Sequence, residues 1–187
     1  MPIPRLRTED TLLLVVDIQS RFAGNIHGWD ALVNNAAILC RAAGVLGIPV
    51  MVTEQNPRAL GSTVPEVAAA LPSGTPTFSK TRFSSLTPEV TAAMNGLHRG
   101  RVLVCGIEAH VCVLQTTLDL LAGGRLPFLC TDCISAGQAS QVAPALQRMQ
   151  TAGAVPTGTL SAIYELLGDA THPAFKACLE LVKGLRA

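Results

Sequence analysis

The stretch of sequence that decides the fold reads Val102-Leu103-Val104-Cys105-Gly106-Ile107-Glu108-Ala109-His110-Val111-Cys112. It begins as an apolar segment typical of a buried strand, and this segment ends at a glycine. A short turn follows, and a helical pattern then opens on Cys112. A thiol in the first turn of a helix faces unpaired backbone N–H groups and the positive end of the helix dipole. Such an environment can lower the pKa of a cysteine from about 8.5 to about 3.5–7.5. Cys112 is therefore a candidate nucleophile; the alternative is a small buried residue that only packs.

The rest of the chain repeats this alternation of strand and helix. The pattern predicts strands at residues 12–16, 48–53, 75–80, 101–107, 126–131 and 154–157, most of them apolar runs and the third short. Helical patterns predict helices at 30–46, 65–71, 88–97, 110–122, 138–152, 160–167 and 174–185, with a loop rich in Pro and Gly at 54–64. Such alternation produces a parallel sheet with helices on both faces. We therefore expect one domain over residues 1–187, with a three-layer, Rossmann-like α/β fold and a sheet of about six strands in the order 3-2-1-4-5-6.

Three polar residues lie at or just past the carboxyl ends of predicted strands. Asp17 follows the first strand, Lys80 ends the third and Cys112 follows the fourth. Ligands of such sheets bind beyond these ends, where the strand order reverses. In the expected order Asp17 and Cys112 start about 5 Å apart, and the long side chain of Lys80 can bridge much of the remaining distance. Singly, Asp17 can cap the following loop and Lys80 can be a surface lysine, but the three together predict a catalytic site.

Composition narrows the classes of partner. Of 187 residues, 49% are hydrophobic and 14% are charged, against a usual ~25% charged. So few charges predict a homo-oligomer, the alternative being an unusually apolar monomer. The helical register of Phe175, Leu179 and Val182 places the expected subunit contact on the last helix. The net charge of +1, without a basic block, gives no reason to expect a nucleic acid. An apolar run of ~18 residues and a signal-peptide pattern are both missing. We therefore expect no membrane partner and a cytoplasmic location, with import into an organelle left open.

The sequence predicts neither a metal nor a cofactor. Cys130 and Cys133 have C-x-x-C spacing, but Cys130 lies inside a predicted strand, whereas a redox pair needs its first cysteine at a helix N-terminus. No second pair completes a zinc site, and the four histidines lack H-x-H or H-E-x-x-H spacing. The phosphate-binding glycine motifs of nucleotide sites are missing as well.

Taken in order, these segments resemble the isochorismatase-like superfamily of cysteine hydrolases. The matching pieces are residues 14–19 (Leu-Val-Val-Asp-Ile-Gln), 78–80 (Phe-Ser-Lys) and 106–113 (Gly-Ile-Glu-Ala-His-Val-Cys-Val). Within that superfamily the chain resembles the isochorismatase-domain-containing group, through residues 53–57, 60–66, 116–121 and 168–173. The resemblance extends from about Thr11 to Lys183.

The resemblance implies roles for particular residues. It implies an Asp–Lys–Cys triad made of Asp17, Lys80 and Cys112. It also implies a cis peptide bond before Glu108, which lets the backbone N–H groups of Glu108 and Cys112 form an oxyanion hole. The substrate of the subgroup is not fixed by the resemblance.

Two departures from relatives narrow the activity. Isochorismatases proper work without the cysteine, so Cys112 argues against hydrolysis of a vinyl ether. Nicotinamidases carry a metal-binding Asp-x-His…His set after the second strand, whereas this chain reads Glu54-Gln55-Asn56-Pro57-Arg58 there. Nicotinamidase activity is therefore not expected.

We therefore predict a cysteine-dependent hydrolase of a small amide or related acyl compound, acting through a thioester. Phe22, Gln55, Phe83 and His110 are candidates for the walls of the substrate pocket, although His110 is equally consistent with an ordinary residue of a first helical turn. The rival hypothesis is a non-catalytic binding or scaffold protein that keeps the fold and the triad, since a fold does not by itself imply an activity.

Overall fold

The first strand, β1 (Thr11–Val16), occupies the middle of the sheet, and all six of its residues are buried. A computed structural model describes residues 3–186 of the chain. Continuous apolar sequence of this kind suits a strand that is covered on both faces. Leu13 and Val15 point into one core, and Leu12, Leu14 and Val16 point into the other. The period-2 alternation of side chains along β1 therefore feeds two separate layers of packing.

The sheet has the predicted order, β3-β2-β1-β4-β5-β6, and every pair of neighbouring strands is parallel. The other strands are β2 (Val50–Gln55), β3 (Thr77–Lys80), β4 (Arg101–Ile107), β5 (Leu126–Ser135) and β6 (Val155–Thr157). The order reverses between β1 and β4, so the carboxyl ends of these two strands frame the crevice where ligands of such sheets bind.

Helices cover both faces, as predicted. The helices are α1 (Trp29–Val45), α2 (Pro57–Leu60), α3 (Pro65–Ala68), α4 (Pro88–Leu97), α5 (Leu114–Ala122), α6 (Val142–Thr151), α7 (Thr159–Leu167) and α8 (Phe175–Val182). Buried residues of α1, α3, α7 and α8 share one core, and those of α4, α5 and α6 share the other. The three-layer α/β architecture is therefore confirmed.

Several boundaries differ from the sequence predictions. The second strand is shifted and ends at Gln55, and the short helix α2 occupies part of the segment that was expected to be a loop. The helix expected at 65–71 is a single turn. The helix expected at 110–122 begins instead with a π turn, Ala109–Val113, before α5. The helix α2 and the π turn directly follow the carboxyl ends of β2 and β4, where local pattern competes with tertiary contacts.

Strand β5 is four residues longer than predicted, and its pairing with β4 is irregular. Val104 pairs with Leu129, and Gly106 pairs with Ile134. One residue of β4, Cys105, therefore lies opposite four residues of β5, 130–133, which form a bulge. Both Cys130 and Cys133 lie inside this strand, are fully buried and are free thiols. Their place in a strand removes the helix N-terminus that a redox C-x-x-C pair requires.

Apolar side chains of the last helix, α8, pack on the core of the same chain. Phe175 and Val182 pack against the core that contains α1, and the Phe175 ring meets that of Tyr164 edge to face, 6.5 Å between centroids. Leu179, the third residue of the expected contact, is half-buried and is not among the residues packed on that core, so this face is only partly covered within the chain. Among residues 3–186, no helix is both long enough and apolar enough to cross a membrane.

Candidate active site

The fold brings the three predicted residues to one edge of the sheet. Asp17 comes directly after β1, Lys80 is the last residue of β3, and Cys112 lies in the π turn that follows β4. Strand β2 lies between β3 and β1, so the Lys80 side chain has to reach across it. That reach is completed by a direct ion pair with Asp17.

The ion pair is short and shielded from solvent. Lys80 Nζ lies 2.6 Å from Asp17 Oδ2, and the two side chains are 0% and 1% exposed. Lys80 Nζ also donates to Gln55 Oε1 at 2.8 Å and to the carbonyl oxygens of Phe83 at 3.0 Å and Arg82 at 3.3 Å. A buried charge is costly unless it is paired and hydrogen-bonded. Lys80 meets both conditions, so the segment after β3 folds around its ammonium group.

Asp17 has a backbone conformation that is unusual for a residue with a side chain. Its φ is 54°, in the left-handed region, where Asp and Asn are tolerated better than most residues. Its N–H donates to Thr53 O at 3.1 Å, and its carbonyl accepts from the N–H of Gln19 at 2.8 Å. The chain therefore turns sharply at Asp17, and the carboxylate is held beneath the edge of the sheet.

The Cys112 thiol is buried beside this pair. The residue is 7% exposed, and its pKa is raised to about 12, first by burial and then by the negative charge of Asp17, while the Lys80 charge acts in the opposite direction. The sequence predicted a lowered pKa from the start of a helix, and that prediction is wrong. Burial of the sulfur and the negative charge of Asp17 outweigh the positive charge of Lys80, so the thiol is protonated at neutral pH.

The turn before Cys112 is built on Glu108. The peptide bond between Ile107 and Glu108 is cis, as the resemblance implied. The Glu108 carbonyl accepts from the N–H groups of Val111 at 3.0 Å and Val113 at 3.2 Å, and its carboxylate accepts from the N–H of Gly137 at 2.7 Å. Among residues 3–186, no protein acceptor is found for the backbone N–H of Glu108. The role of Glu108 and Cys112 in an oxyanion hole stays a prediction.

The four candidate wall residues have different surroundings. Gln55 has its side chain engaged by Lys80 and by the Thr81 carbonyl, to which it donates at 2.7 Å. Phe22 packs against the core that contains α1, whereas Cys112 belongs to the other core. Phe83 is 51% exposed, and His110 is half-buried with an Nδ1 atom that has no partner among residues 3–186. Gln55 is thus placed to hold Lys80, and a role in binding substrate stays a prediction for all four residues.

A cavity of about 700 Å³ opens at the same edge of the sheet. Lys80 lines it together with Arg58, Arg82 and Glu89, but Asp17 and Cys112 do not. The chemistry of the three polar residues, rather than the size of this cavity, therefore defines the candidate site. Within the described part of the chain, residues 3–186, no three His, Cys, Asp or Glu side chains are grouped closely enough to hold a metal ion.

Sequence reasoning missed two buried hydroxyl groups. Thr53 Oγ1 lies 2.9 Å from Asp17 Oδ1 and 3.0 Å from Ser85 Oγ. Thr53 reads as an ordinary β-prone residue at the end of an apolar run, and Ser85 as a loop residue. The available signal was a polar residue, Thr53, at the end of a strand expected to be buried, since a buried hydroxyl needs a hydrogen-bond partner.

Fold and site together define the class: a three-layer α/β protein with a cysteine beside a buried aspartate–lysine pair at the switch point of a parallel sheet. A sequence model of the isochorismatase domain matches residues 11–161. Isochorismatase family protein 1B of Dictyostelium discoideum is 36% identical over 182 residues, which cover 95% of this chain and 88% of that protein. Secreted isochorismatase effector Isc1 of Phytophthora sojae is 38% identical over 183 residues, covering 96% and 87%.

A solved structure agrees with these relatives. The structure described as MAR1 ribonuclease from Caenorhabditis elegans superposes with a TM-score of 0.93 at 37% identity, covering 96% of this chain and 93% of the other. The chain therefore belongs to the isochorismatase family, a family of hydrolases.

Proposed function

We propose that this protein hydrolyses a small amide or a related acyl compound through a thioester on Cys112. The observation that carries the proposal is the buried ion pair of Asp17 and Lys80, 2.6 Å apart, whose two charges both act on the Cys112 thiol. A nucleophile, a base next to it and a third group that holds the base are the parts that covalent catalysis needs.

The first half-reaction forms the thioester. Because its pKa is raised to about 12, the thiol of Cys112 does not rest as a thiolate, so attack is coupled to proton transfer. The sulfur bonds to the carbonyl carbon while its proton passes to Asp17. The C–N bond then breaks, and the proton leaves with the amine. Lys80 keeps a positive charge beside Asp17 throughout and stabilises the ionised carboxylate.

The second half-reaction releases the acid. Asp17 takes a proton from water, whose oxygen adds to the thioester carbonyl, and the C–S bond breaks as the sulfur recovers a proton. In both halves the backbone N–H groups of Glu108 and Cys112 stabilise the oxyanion, a contribution of about 3 kcal/mol per donor in comparable sites. The balance is one water consumed for one acid and one amine.

The names of relatives suggest other substrates. Isochorismatase activity would cleave a vinyl ether, for which a cysteine is not needed, and the C. elegans relative is named as a ribonuclease. A non-catalytic binding or scaffold protein is the rival from another class. The net charge of +1 and the shielded nucleophile favour a small neutral or weakly charged substrate over RNA.

The test is a substrate screen with three arms. Amides and esters, isochorismate and single-stranded RNA are incubated with the wild-type protein and with Cys112→Ala, and products are followed by mass spectrometry. We expect turnover in the amide and ester arm, a covalent adduct of acyl mass on the Cys112 peptide, and loss of both in the variant. We also expect activity to survive exhaustive chelation.

Other outcomes separate the alternatives. Turnover of isochorismate or RNA that persists in Cys112→Ala would exclude the thioester mechanism. Stoichiometric binding of a compound without turnover or adduct would favour the binding protein.

A further inference from the structure

Each oxygen of the Asp17 carboxylate has its own buried hydrogen-bond donor. Lys80 Nζ donates to Oδ2 at 2.6 Å, and Thr53 Oγ1 donates to Oδ1 at 2.9 Å. Thr53 is 0% exposed and Asp17 is 1% exposed, so water does not compete for either contact. The two donors differ in charge. The Lys80 ammonium is positively charged, whereas the Thr53 hydroxyl is a neutral dipole that fixes the orientation of the carboxylate.

Counting hydrogens fixes the direction of the network. An ionised carboxylate can only accept, so Thr53 gives its single hydroxyl hydrogen to Asp17. The 3.0 Å contact between Thr53 Oγ1 and Ser85 Oγ must then be donated by Ser85. Ser85 is itself held in place, because its N–H donates to Thr116 Oγ1 at 2.8 Å. A chain of donors therefore runs from Ser85 through Thr53 to Asp17, with all of its members buried.

We propose that Thr53 is a positioning residue that acts through Asp17. Its hydroxyl holds the carboxylate in the rotamer in which Oδ2 meets Lys80, and it stabilises the ionised form that must be present before the thiol proton is transferred. Among residues 3–186, the titratable groups recorded beside Asp17 are Lys80 from β3 and Cys112 from the π turn. A donor without charge therefore keeps Asp17 ionised and oriented, without adding to the positive charge that Lys80 supplies.

The inference rests on the proposed function, because it gives Thr53 a task through the proposed base. The experiment therefore needs neither substrate nor turnover. The protein is labelled with ¹³C at aspartate carboxyl carbons, the Asp17 resonance is assigned with Asp17→Asn, and its midpoint pH is measured. In Thr53→Val, which keeps shape but loses the donor, we expect the midpoint to rise by roughly one pH unit.

Two variants control for structural effects. Thr53→Ser keeps the hydroxyl and should leave the midpoint within a few tenths of a pH unit of wild type. Thr117→Val makes the same substitution at an equally buried threonine whose Oγ1 has no partner among residues 3–186, and it should not move the midpoint. If Thr53→Val does not fold, Ser85→Ala replaces it, with a smaller rise expected because Thr53 can still donate.

The outcomes are separable from those of the proposed function. An unchanged midpoint in Thr53→Val, or an equal rise in Thr117→Val, would overturn the role of Thr53. Activity that survives Cys112→Ala would overturn the proposed mechanism, yet it would leave the titration result standing.

Discussion

Cys112 is the most solvent-accessible of the six cysteines, at 7% exposure against 0% for each of the others. Its pKa is raised to about 12, so the thiolate fraction is small at neutral pH and grows as pH rises. We expect iodoacetamide at pH 7 to label Cys112 first, at a slow rate that increases steadily up to pH 9. Peptide mapping by mass spectrometry checks the order of labelling. Labelling of Cys130 or Cys178 ahead of Cys112 would contradict the placement of the nucleophile.

The Asp17–Lys80 pair should be costly to break from either side. Asp17→Asn leaves the Lys80 ammonium buried without its counter-charge. Lys80→Met likewise leaves the Asp17 carboxylate buried without a positive partner. We expect each variant to lose about 3–5 kcal/mol of unfolding free energy. Asn is used because it tolerates the φ of 54° at this position. Urea denaturation measures the change.

The double variant is the control for that prediction. When both charges are removed together, neither is left unpaired, so Asp17→Asn with Lys80→Met should be more stable than the sum of the single losses implies. Additive losses would mean that the two charges do not stabilise each other. Activity is expected to vanish in all three variants, because the proposed mechanism uses both groups.

At the scale of single residues, the sequence was enough to predict which polar residues form the candidate site, but not which hydrogen-bond partners they have. Asp17, Lys80 and Cys112 were found because each lies at or just past the carboxyl end of a predicted strand, and these ends meet at one edge of a parallel sheet. The direction of the Cys112 pKa was missed, since it depends on burial, which sequence does not give. The hydrogen bonds of Thr53 to Asp17 and of Lys80 to Gln55 were missed, because each joins residues from different segments of the chain.

At the scale of elements, the lack of a side chain at Gly106 allows β4 to lie close to β1. Its φ is +136°, and a Cβ atom there would overlap the carbonyl oxygen of Val16, its register partner. We expect Gly106→Ala to cost roughly 2–6 kcal/mol of unfolding free energy, from backbone strain together with overpacking. Thermal and urea unfolding check this.

Gly47→Ala is the matched control for Gly106→Ala. Gly47 also has a positive φ, +66°, but a Cβ there would meet nothing within 4 Å. Only the backbone term remains, so a loss of about 1–2 kcal/mol is expected. Equal losses in the two variants would show that contact with Val16 is not what requires glycine at position 106.

The elements differ in how far the sequence could predict them. The central strands were predicted because a run such as Leu12–Val16 is too apolar to lie at a surface. The extension of β5 to Ser135 was not predicted, because it depends on the irregular pairing of β5 with β4. The π turn of five residues before α5 is too short to leave a periodicity distinct from that of an α-helix.

At the scale of the whole molecule, low charge and exposed apolar groups predict assembly. Charged residues make up 14% of the chain, and Val45 on α1 with Leu160 and Tyr164 on α7 are 41–48% exposed. Helix α8 packs on its own core through Phe175 and Val182, so the low charge and these exposed side chains are the remaining reasons to expect a subunit contact. We expect light scattering at micromolar concentration to give a mass above 19.5 kDa. A mass of a single chain would contradict it.

Buried thiols should make the whole fold sensitive to alkaline pH. Burial raises the pKa of Cys40 and Cys112 from 9.0 to about 12 and raises the pKa of the other four cysteines. Above pH 9 the unfolded chain loses these protons while the folded chain keeps them. The stabilisation is therefore complete below pH 9 and is lost between about pH 9 and 12. Cys40 and Cys112 each contribute a slope of about 1.4 kcal/mol per pH unit within that window.

Urea unfolding under reducing conditions from pH 7.5 to 10 measures this loss. We expect unfolding free energy to be nearly constant up to about pH 8.5 and then to fall with increasing steepness. Cys40→Ala lowers the starting stability, because it leaves a small cavity, but it removes one titrating thiol and should flatten the alkaline fall by up to one thiol's slope. Arg41, whose charge opposes the shift at Cys40, is unchanged in that variant. Stability that stays level to pH 10, or an equally steep fall in Cys40→Ala, would mean that the thiols are not what couples this fold to pH.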